Sequence, residues 1–232
     1  MIFMYNTAMT KCHTLIVSDL HLGAKISRTD KILQVLNTIQ FKSLIINGDL
    51  FDSDTTQKFT REDWRIISLL SKIAEKNDVR LVGGNHGRKL DVLAEKMGIT
   101  ILENHIFSIG GRKFLCFHGD EFDMFVKNLP MTTHVFTKIY YLIQRFGGKK
   151  QSFSMIIKRL TKQLLGISRR QQRLAIKKGS SHNANVIICS HTHIPHSSEK
   201  NGVLFLNSGS FCNNPSTYIT VDKNGVVKMH EI

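Results

Sequence analysis

Short apolar runs and amphipathic stretches alternate through the first hundred residues. Thr14-Leu15-Ile16-Val17 and Ser43-Leu44-Ile45-Ile46 are aliphatic, β-branched runs too short for helices, and they read as buried strands. Val79 to Val82 reads as a third. Between them the apolar positions recur with helical spacing, and one helix is predicted near Asp30 to Ile39. A second helix starts at Thr60, whose hydroxyl can cap the first turn, with Asp63 placed where a capping box needs an acid. Its apolar face runs through Ile66, Ile67, Leu70 and Ile73. A shorter helix from Lys89 to Met97 stops at Gly98, a residue suited to the left-handed C′ position.

After residue 100 the rhythm changes. Ile101 to Phe117 reads as strands around a Gly110-Gly111 turn, and the chain from Val186 onward is again strand and turn, with Asn224-Gly225 as a hairpin signal. Between these lies a helical pattern. Val135, Ile139, Leu142, Ile143 and Phe146 form one apolar stripe; Phe153, Ile156, Ile157, Leu160 and Leu164 form another, with breaks at Pro130, Gly147-Gly148 and Gly166. No internal repeat or low-complexity tract is present. These boundaries predict an α/β core made of residues 1–123 and 183–232, interrupted by a helical insertion over residues 124–182.

With 232 residues, 41% of them hydrophobic, the chain can fill one large or two small cores, which excludes a wholly disordered, collagen-like or disulfide-scaffold protein. No apolar run is long enough to span a membrane as a helix, and Met1 to Lys11 lacks a signal-peptide layout. Cys12, Cys116, Cys189 and Cys212 lie far apart without CxxC spacing, so reduced thiols in a cytosolic protein are expected. Charge changes the picture more. The net +14 is concentrated: residues 124–183 hold thirteen Lys or Arg and no Asp or Glu, leaving nineteen basic and eighteen acidic residues elsewhere. A cationic segment on a nearly neutral core implies an anionic partner bound at one place.

The chemistry is concentrated in loops that follow strands. Asp19-Leu20-His21, Gly48-Asp49-Leu50-Phe51-Asp52, Gly84-Asn85-His86, His118-Gly119-Asp120 and His191-Thr192-His193 come after five successive predicted strands. Open α/β sheets place their sites at carboxyl ends of strands. One such group alone is a turn or a cap; five together point to a site. Asp, His and Asn donors without a thiolate cluster suit Mn²⁺, Fe²⁺, Zn²⁺ or Mg²⁺. A single carboxylate can bridge two such ions about 3.5–4 Å apart, an arrangement that clamps an in-line displacement at phosphorus.

Asp-x-His, Gly-Asp-x-x-Asp, Gly-Asn-His, His-Gly-Asp and His-Thr-His, in this order over residues 19–193, resemble the motifs of the calcineurin-like metallophosphoesterase superfamily. The resemblance implies a four-layer α/β/β/α sandwich of mixed β-sheets. It gives one metal to Asp19, His21, Asp49 and His193, and a second to Asp49 as bridge, Asn85, His118 and His191. A metal-bridging hydroxide is then the nucleophile, and His86 beside Asn85 stabilises or protonates the departing oxygen. The pattern departs from the family at Gly87, where an acid is usual, and at Ser190, where glycine is common.

Longer stretches are similar to UDP-2,3-diacylglucosamine hydrolases: Ser18-Asp19-Leu20-His21-Leu22-Gly23, His118-Gly119-Asp120-Glu121-Phe122-Asp123, His191-Thr192-His193-Ile194-Pro195 and Asn207-Ser208-Gly209-Ser210-Phe211. Those enzymes release UMP and a lipid monophosphate in lipid A synthesis and carry a helical insertion after His-Gly-Asp. The likeness implies a cytoplasmic hydrolase, peripheral on the inner face of the membrane, with two divalent ions, manganese first among them. Asp52, Asp120 and Asp123 are expected to hold the site histidines from behind. In the insertion, Arg145, Lys149, Lys150, Lys158, Arg159 and Lys162 are expected to form a lid that meets a phosphorylated lipid or an anionic membrane surface. The alternatives are a phosphodiesterase or nuclease that uses Arg169-Arg170-Gln171-Gln172-Arg173 on nucleic acid, and a weakly active binding scaffold on the same fold.

Overall fold

The computed structural model describes residues 10–125 and 167–232. Strands β1 (Thr10–Lys11) and β3 (Ile39–Gln40) form a small parallel pair. The main body is two mixed sheets. The first runs in the order β13-β12-β2-β4-β5-β6, built from β2 (Thr14–Val17), β4 (Ser43–Asn47), β5 (Asp78–Val82), β6 (Thr100–Leu102), β12 (Thr217–Val221) and β13 (Val227–Glu231). Its strands β2, β4, β5 and β6 are parallel, while β12 is antiparallel to both its neighbours. The second sheet runs β10-β11-β9-β8-β7, from β7 (His105–Ile109), β8 (Arg112–Cys116), β9 (Val186–Cys189), β10 (His196–Lys200) and β11 (Val203–Asn207).

Strand periodicity explains how the sheets stack. Alternate side chains point to opposite faces, and both faces of the central strands are buried. Ile16, Ile45, Val82, Ile219 and Val221 of the first sheet meet Phe114, Cys116, Val186, Ile188 and Leu206 of the second. On the outer face of the first sheet, Leu15, Val17, Leu44, Ile46 and Leu81 pack against α1 (Thr29–Thr38) and α2 (Arg61–Ala74), through Ile32, Val35, Ile66 and Leu70. On the outer face of the second, Leu115, Phe117, Ile187 and Phe205 cover Ala175 and Ile176 of α4 (Ile167–Ser181). The layers are therefore helix, sheet, sheet, helix. The fourth layer comes from residues 167–181, a stretch whose charge assigns it to the insertion but whose small residues Ala175 and Gly179 pack against the sheet.

Local signals act as their chemistry requires. Thr60 Oγ1 accepts from the Asp63 amide while the Asp63 carboxylate accepts from the Thr60 amide, closing both halves of the capping box. Before α3 (Asp91–Lys96), a 3₁₀ turn over Arg88–Leu90 replaces the first turn of the expected helix. Gly98 ends that helix at φ +82°.

His105 gives the fold a measurable acid limit. It is buried at the start of β7, stacked on Phe107, with Arg80 donating to its Nδ1 at 3.3 Å. Burial and the Arg80 charge push its pKa down to about 4. An unfolded histidine titrates near 6.5, so between roughly pH 6.5 and 4 the unfolded chain binds a proton that the folded chain does not. Stability is therefore fully present above pH 6.5 and lost on acidification, by at most about 3 kcal/mol from this group. Urea midpoints measured from pH 7 to 4.5 should fall for the wild type and fall less steeply for His105→Phe. Parallel profiles would show that His105 does not set the limit.

Candidate metal centre

The five loops at the carboxyl ends of β2, β4, β5, β8 and β9 converge on one place. Paired loops hold each other: the amides of His21 and Leu22 donate to the carbonyls of Asp49 and Leu50, and the Ser190 amide donates to the His118 carbonyl. The backbone is unusual there. Asp19, His21, Asp49, His191 and His193 all adopt positive φ, between 46° and 67°. For residues with a Cβ this left-handed region costs of order 1–3 kcal/mol each and persists only where the surroundings impose it. Gly48 and Gly84 meet a second constraint, close approach. A Cβ on Gly48 would collide with the His118 ring, and one on Gly84 with the Asp49 carboxylate.

Two groups of ligand atoms result. In one, His193 Nε2 lies 2.9 Å from Asp19 Oδ1 and 3.3 Å from His21 Nε2. In the other, His118 Nε2 lies 3.3 Å from Asp49 Oδ2, 3.3 Å from His191 Nδ1 and 3.2 Å from Asn85 Oδ1. The groups share an atom. Asp49 Oδ2 is also 3.5 Å from His21 Nε2, so one oxygen faces both sets. Its partner Oδ1 is fixed by the His86 amide at 2.9 Å, and the His191 amide donates to Asp19 Oδ2 at 3.4 Å.

Hydrogen bonds behind the rings decide which nitrogens face the site. Ser190 Oγ donates to the Asn47 carbonyl and accepts from His118 Nδ1 at 2.9 Å. That places a proton on Nδ1 and turns His118 Nε2 toward Asp49. Asp52 Oδ1 lies 3.4 Å from His21 Nδ1, while the other nitrogen of that ring faces Asp49. The exposed His86 ring donates from Nδ1 to the Asp52 carbonyl at 3.1 Å, which leaves Nε2 outward. A carbonyl cannot donate, so the tautomer follows from the contact.

These residues fit a metal pair. Donors held about 2.1 Å from one ion, at right-angle to tetrahedral spacing, lie about 3.0–3.4 Å apart, close to the separations found here. Around His118 Nε2 stand three potential acceptors, more than the single proton an imidazolium carries there can satisfy. Asp19 Oδ1 and His21 Nδ1 are buried without a well-formed hydrogen bond. Burial opposes ionisation of Asp19 and Asp49, but the surrounding histidines hold both carboxyls below the usual range. Burial likewise opposes charge on His118, but its contact with Asp49 and the charges of Asp19 and Asp49 raise it to about 9. Two buried, ionised carboxylates a few ångströms apart attract positive charge, and divalent cations answer that demand.

The loops thus bring Asp19, His21, Asp49, Asn85, His118, His191 and His193 into two adjoining clusters, and a third grouping sets His86 at the rim beside His21 and Asp52. Asp52 stands behind His21, and Asp120 is close enough for its charge to raise the pKa of His118. The side chain of Asp123 and the residues Arg145, Lys149, Lys150, Lys158, Arg159 and Lys162 lie outside the described residues. The motifs do not reveal the role of Ser190. Its signal was its place in the family pattern: a hydroxyl where glycine is common can make a bond that glycine cannot. Gly87 is explained by space and conformation, since it sits at φ +65° with its α-carbon against Phe51.

Ser190→Ala leaves the His118 Nδ1–H without its hydroxyl acceptor. Removing such outer support typically costs 10–100-fold in metal affinity. Calorimetric titration with Mn²⁺ should show a loss in that range, beyond a modest fall in the melting temperature of the metal-free chain, which must stay folded. An unchanged affinity would show that the hydroxyl does not orient the ring.

The profile of the calcineurin-like phosphoesterase superfamily domain matches residues 13–225. No curated protein sequence matches the chain. Among solved structures, the chain is similar to an archaeal phosphodiesterase, at 15% identity and TM-score 0.50, over 94% of this chain and 99% of that one. It is also similar to vacuolar protein sorting 29 from Cryptosporidium parvum, at 17% identity and TM-score 0.48, over 94% and 96%. A third similar structure is Vps29 complexed with zinc from Entamoeba histolytica, at 15% identity and TM-score 0.46, over 94% and 97%. At such identities the likeness to these three is one of fold, whereas the profile match spans nearly the whole sequence: the chain belongs to the calcineurin-like phosphoesterase superfamily.

Proposed function

We propose that the chain hydrolyses a phosphoanhydride or phosphodiester with two divalent ions, and that its substrate is of the UDP-2,3-diacylglucosamine type, giving UMP and a lipid monophosphate. The observation that carries the hydrolytic reading is Asp49 Oδ2, a single buried oxygen 3.5 Å from His21 Nε2 and 3.3 Å from His118 Nε2. Asp19, His21, Asp49 and His193 would hold one ion; Asp49, Asn85, His118 and His191 the other. When bound, such a pair neutralises charge at phosphorus and acidifies a water enough to serve as nucleophile near neutral pH. Manganese is the first choice, and the same donors accept iron, zinc or magnesium.

The chain's own groups do the remaining work. His86, held through Nδ1 by the Asp52 carbonyl, presents Nε2 at the exposed rim, where the ring, when protonated on both nitrogens, can deliver the Nε2 proton to the departing oxygen. Asn85 turns its Oδ1 toward His118, so its Nδ2 donor faces away, available to a phosphate oxygen. Gly87 adds no carboxylate beside His86; the Asp52 carbonyl accepts from its Nδ1, and the Asp52 carboxylate lies nearby.

The lipid-linked substrate rests on the longer motif likenesses and on charge. Residues 124–183 carry thirteen cations and no acid, suited to phosphates or to an anionic membrane surface. No helix among the described residues is long and apolar enough to cross a membrane, and we place the protein in the cytoplasm, peripheral on the inner membrane face. One observation favours nucleic acid instead: Arg170, Arg173 and Lys177 form an exposed cationic stripe along α4.

Manganese-reconstituted protein should release UMP from UDP-2,3-diacylglucosamine faster than it cleaves DNA or RNA. Asp49→Ala should lower the rate by about 10³-fold or more, since that oxygen serves both ions. Faster cleavage of nucleic acid would replace the lipid-linked substrate and keep the metal site. Inactivity on every pyrophosphate and phosphodiester, or normal turnover by Asp49→Ala, would overturn the hydrolytic reading.

A further inference from the structure

Helix α4 packs on the second sheet through positions 171, 175 and 179, spaced one turn apart. Two of them are what close packing calls for. Ala175 is fully buried, and a Cβ on Gly179 would collide with Ile187. The third is Gln171, a polar side chain only 4% exposed, where an aliphatic residue would suit the packing. A buried amide needs partners for both its ends, so its presence on an apolar stripe asks for a reason.

Its partners all belong to the site loops or to their supports. Gln171 Nε2 donates to the Ser190 carbonyl at 3.1 Å, and its Oε1 accepts from Asn207 Nδ2 at 3.2 Å. Asn207, at the end of β11, also donates to the same carbonyl at 2.8 Å, with its Nδ2 3.0 Å from Thr192 Oγ1. The Gln171 amide also passes close to the other histidine loop, since a Cβ on Gly119 would come within 2.8 Å of Nε2. One side chain therefore touches the loop of His118 and the loop of His191 and His193. Ser190 joins the two, because its carbonyl takes the Gln171 proton while its hydroxyl takes the proton of His118 Nδ1.

We propose that Gln171 is a positioning residue for the metal centre, fixing through Ser190 the peptide from which His118 and His191 are aimed. The proposal rests on the dimetal reading above and extends it to a residue that touches no ligand ring. It makes α4 a working part of the site rather than a cover for the sheet. A left-handed His191 directly after Ser190 needs its preceding peptide held, and Gln171 and Asn207 hold it from two separate elements.

The test is Mn²⁺ titration of the full chain by calorimetry, for the wild type, Gln171→Met, Gln171→Glu and Gln172→Met. Methionine keeps the volume and removes both hydrogen bonds; glutamate keeps an acceptor for Asn207 and loses the donor to Ser190. Both should weaken Mn²⁺ binding by about 10–100-fold. Gln172 bonds Ser198 on β10, away from the site, and its variant should bind like the wild type. A second readout needs no substitution: titrating the ¹⁵N-labelled wild type with Zn²⁺ should shift the Gln171 side-chain amide signals and leave those of Gln172 in place. Wild-type binding of two ions, with Gln171→Met within twofold of it or with the Gln171 signals unmoved, would overturn the positioning role. A wild type that binds no ion would instead overturn the dimetal reading itself.

Discussion

Everything at the centre of this molecule depends on one buried carboxylate. Asp49 is 2% exposed, and its Oδ2 looks toward His21 on one side and His118 on the other. An ionised group in that position is costly unless opposite charge or several donors answer it. Among the described residues a backbone amide, that of His86, donates to Oδ1, while Oδ2 lies among imidazole nitrogens. Asp19, also buried and also ionised, doubles the demand. The site is thus organised around concentrated negative charge that the surrounding histidines only partly offset, which favours binding cations.

The rest of the structure keeps that arrangement in place. Strands of both stacked sheets end at the site, so ligands arrive from both: Asp19, His21, Asp49 and Asn85 from the first, His118, His191 and His193 from the second. Apolar packing between the sheets fixes their separation. Backbone strain is spent where ligands must point inward, at five residues with positive φ, and glycine is used where a neighbour comes too close for any Cβ. Polar supports set the tautomers of the rings. The chemistry depends on the angle of a few nitrogens, and these supports determine it.

Much of this was legible in the sequence because it is local. The capping box at Thr60 and Asp63, the alternating strands and the turn glycines each act over a few residues. The ligand set was legible because each motif directly follows a strand, and strand ends converge in α/β folds. What stayed hidden depends on distant pairs. Ser190 orients His118 across 72 residues, and Gln171 reaches Asn207 across 36. Helix α4 was hidden for another reason. Its exposed Arg170, Arg173 and Lys177 match the charge of the insertion, while its packing face needs only Ala175 and Gly179, small residues that leave a weak hydrophobic pattern.

A two-ion site explains why carboxylates, imidazoles and strained loops are gathered at one end of the sandwich, and an anionic substrate suits the cations that crowd a single stretch of an otherwise nearly neutral chain. The most direct measurement is anomalous diffraction at the manganese edge from crystals grown with Mn²⁺. Two peaks per chain, about 3.5–4 Å apart with Asp49 Oδ2 between them, are expected. A single peak, or peaks that avoid Asp49, would contradict the account.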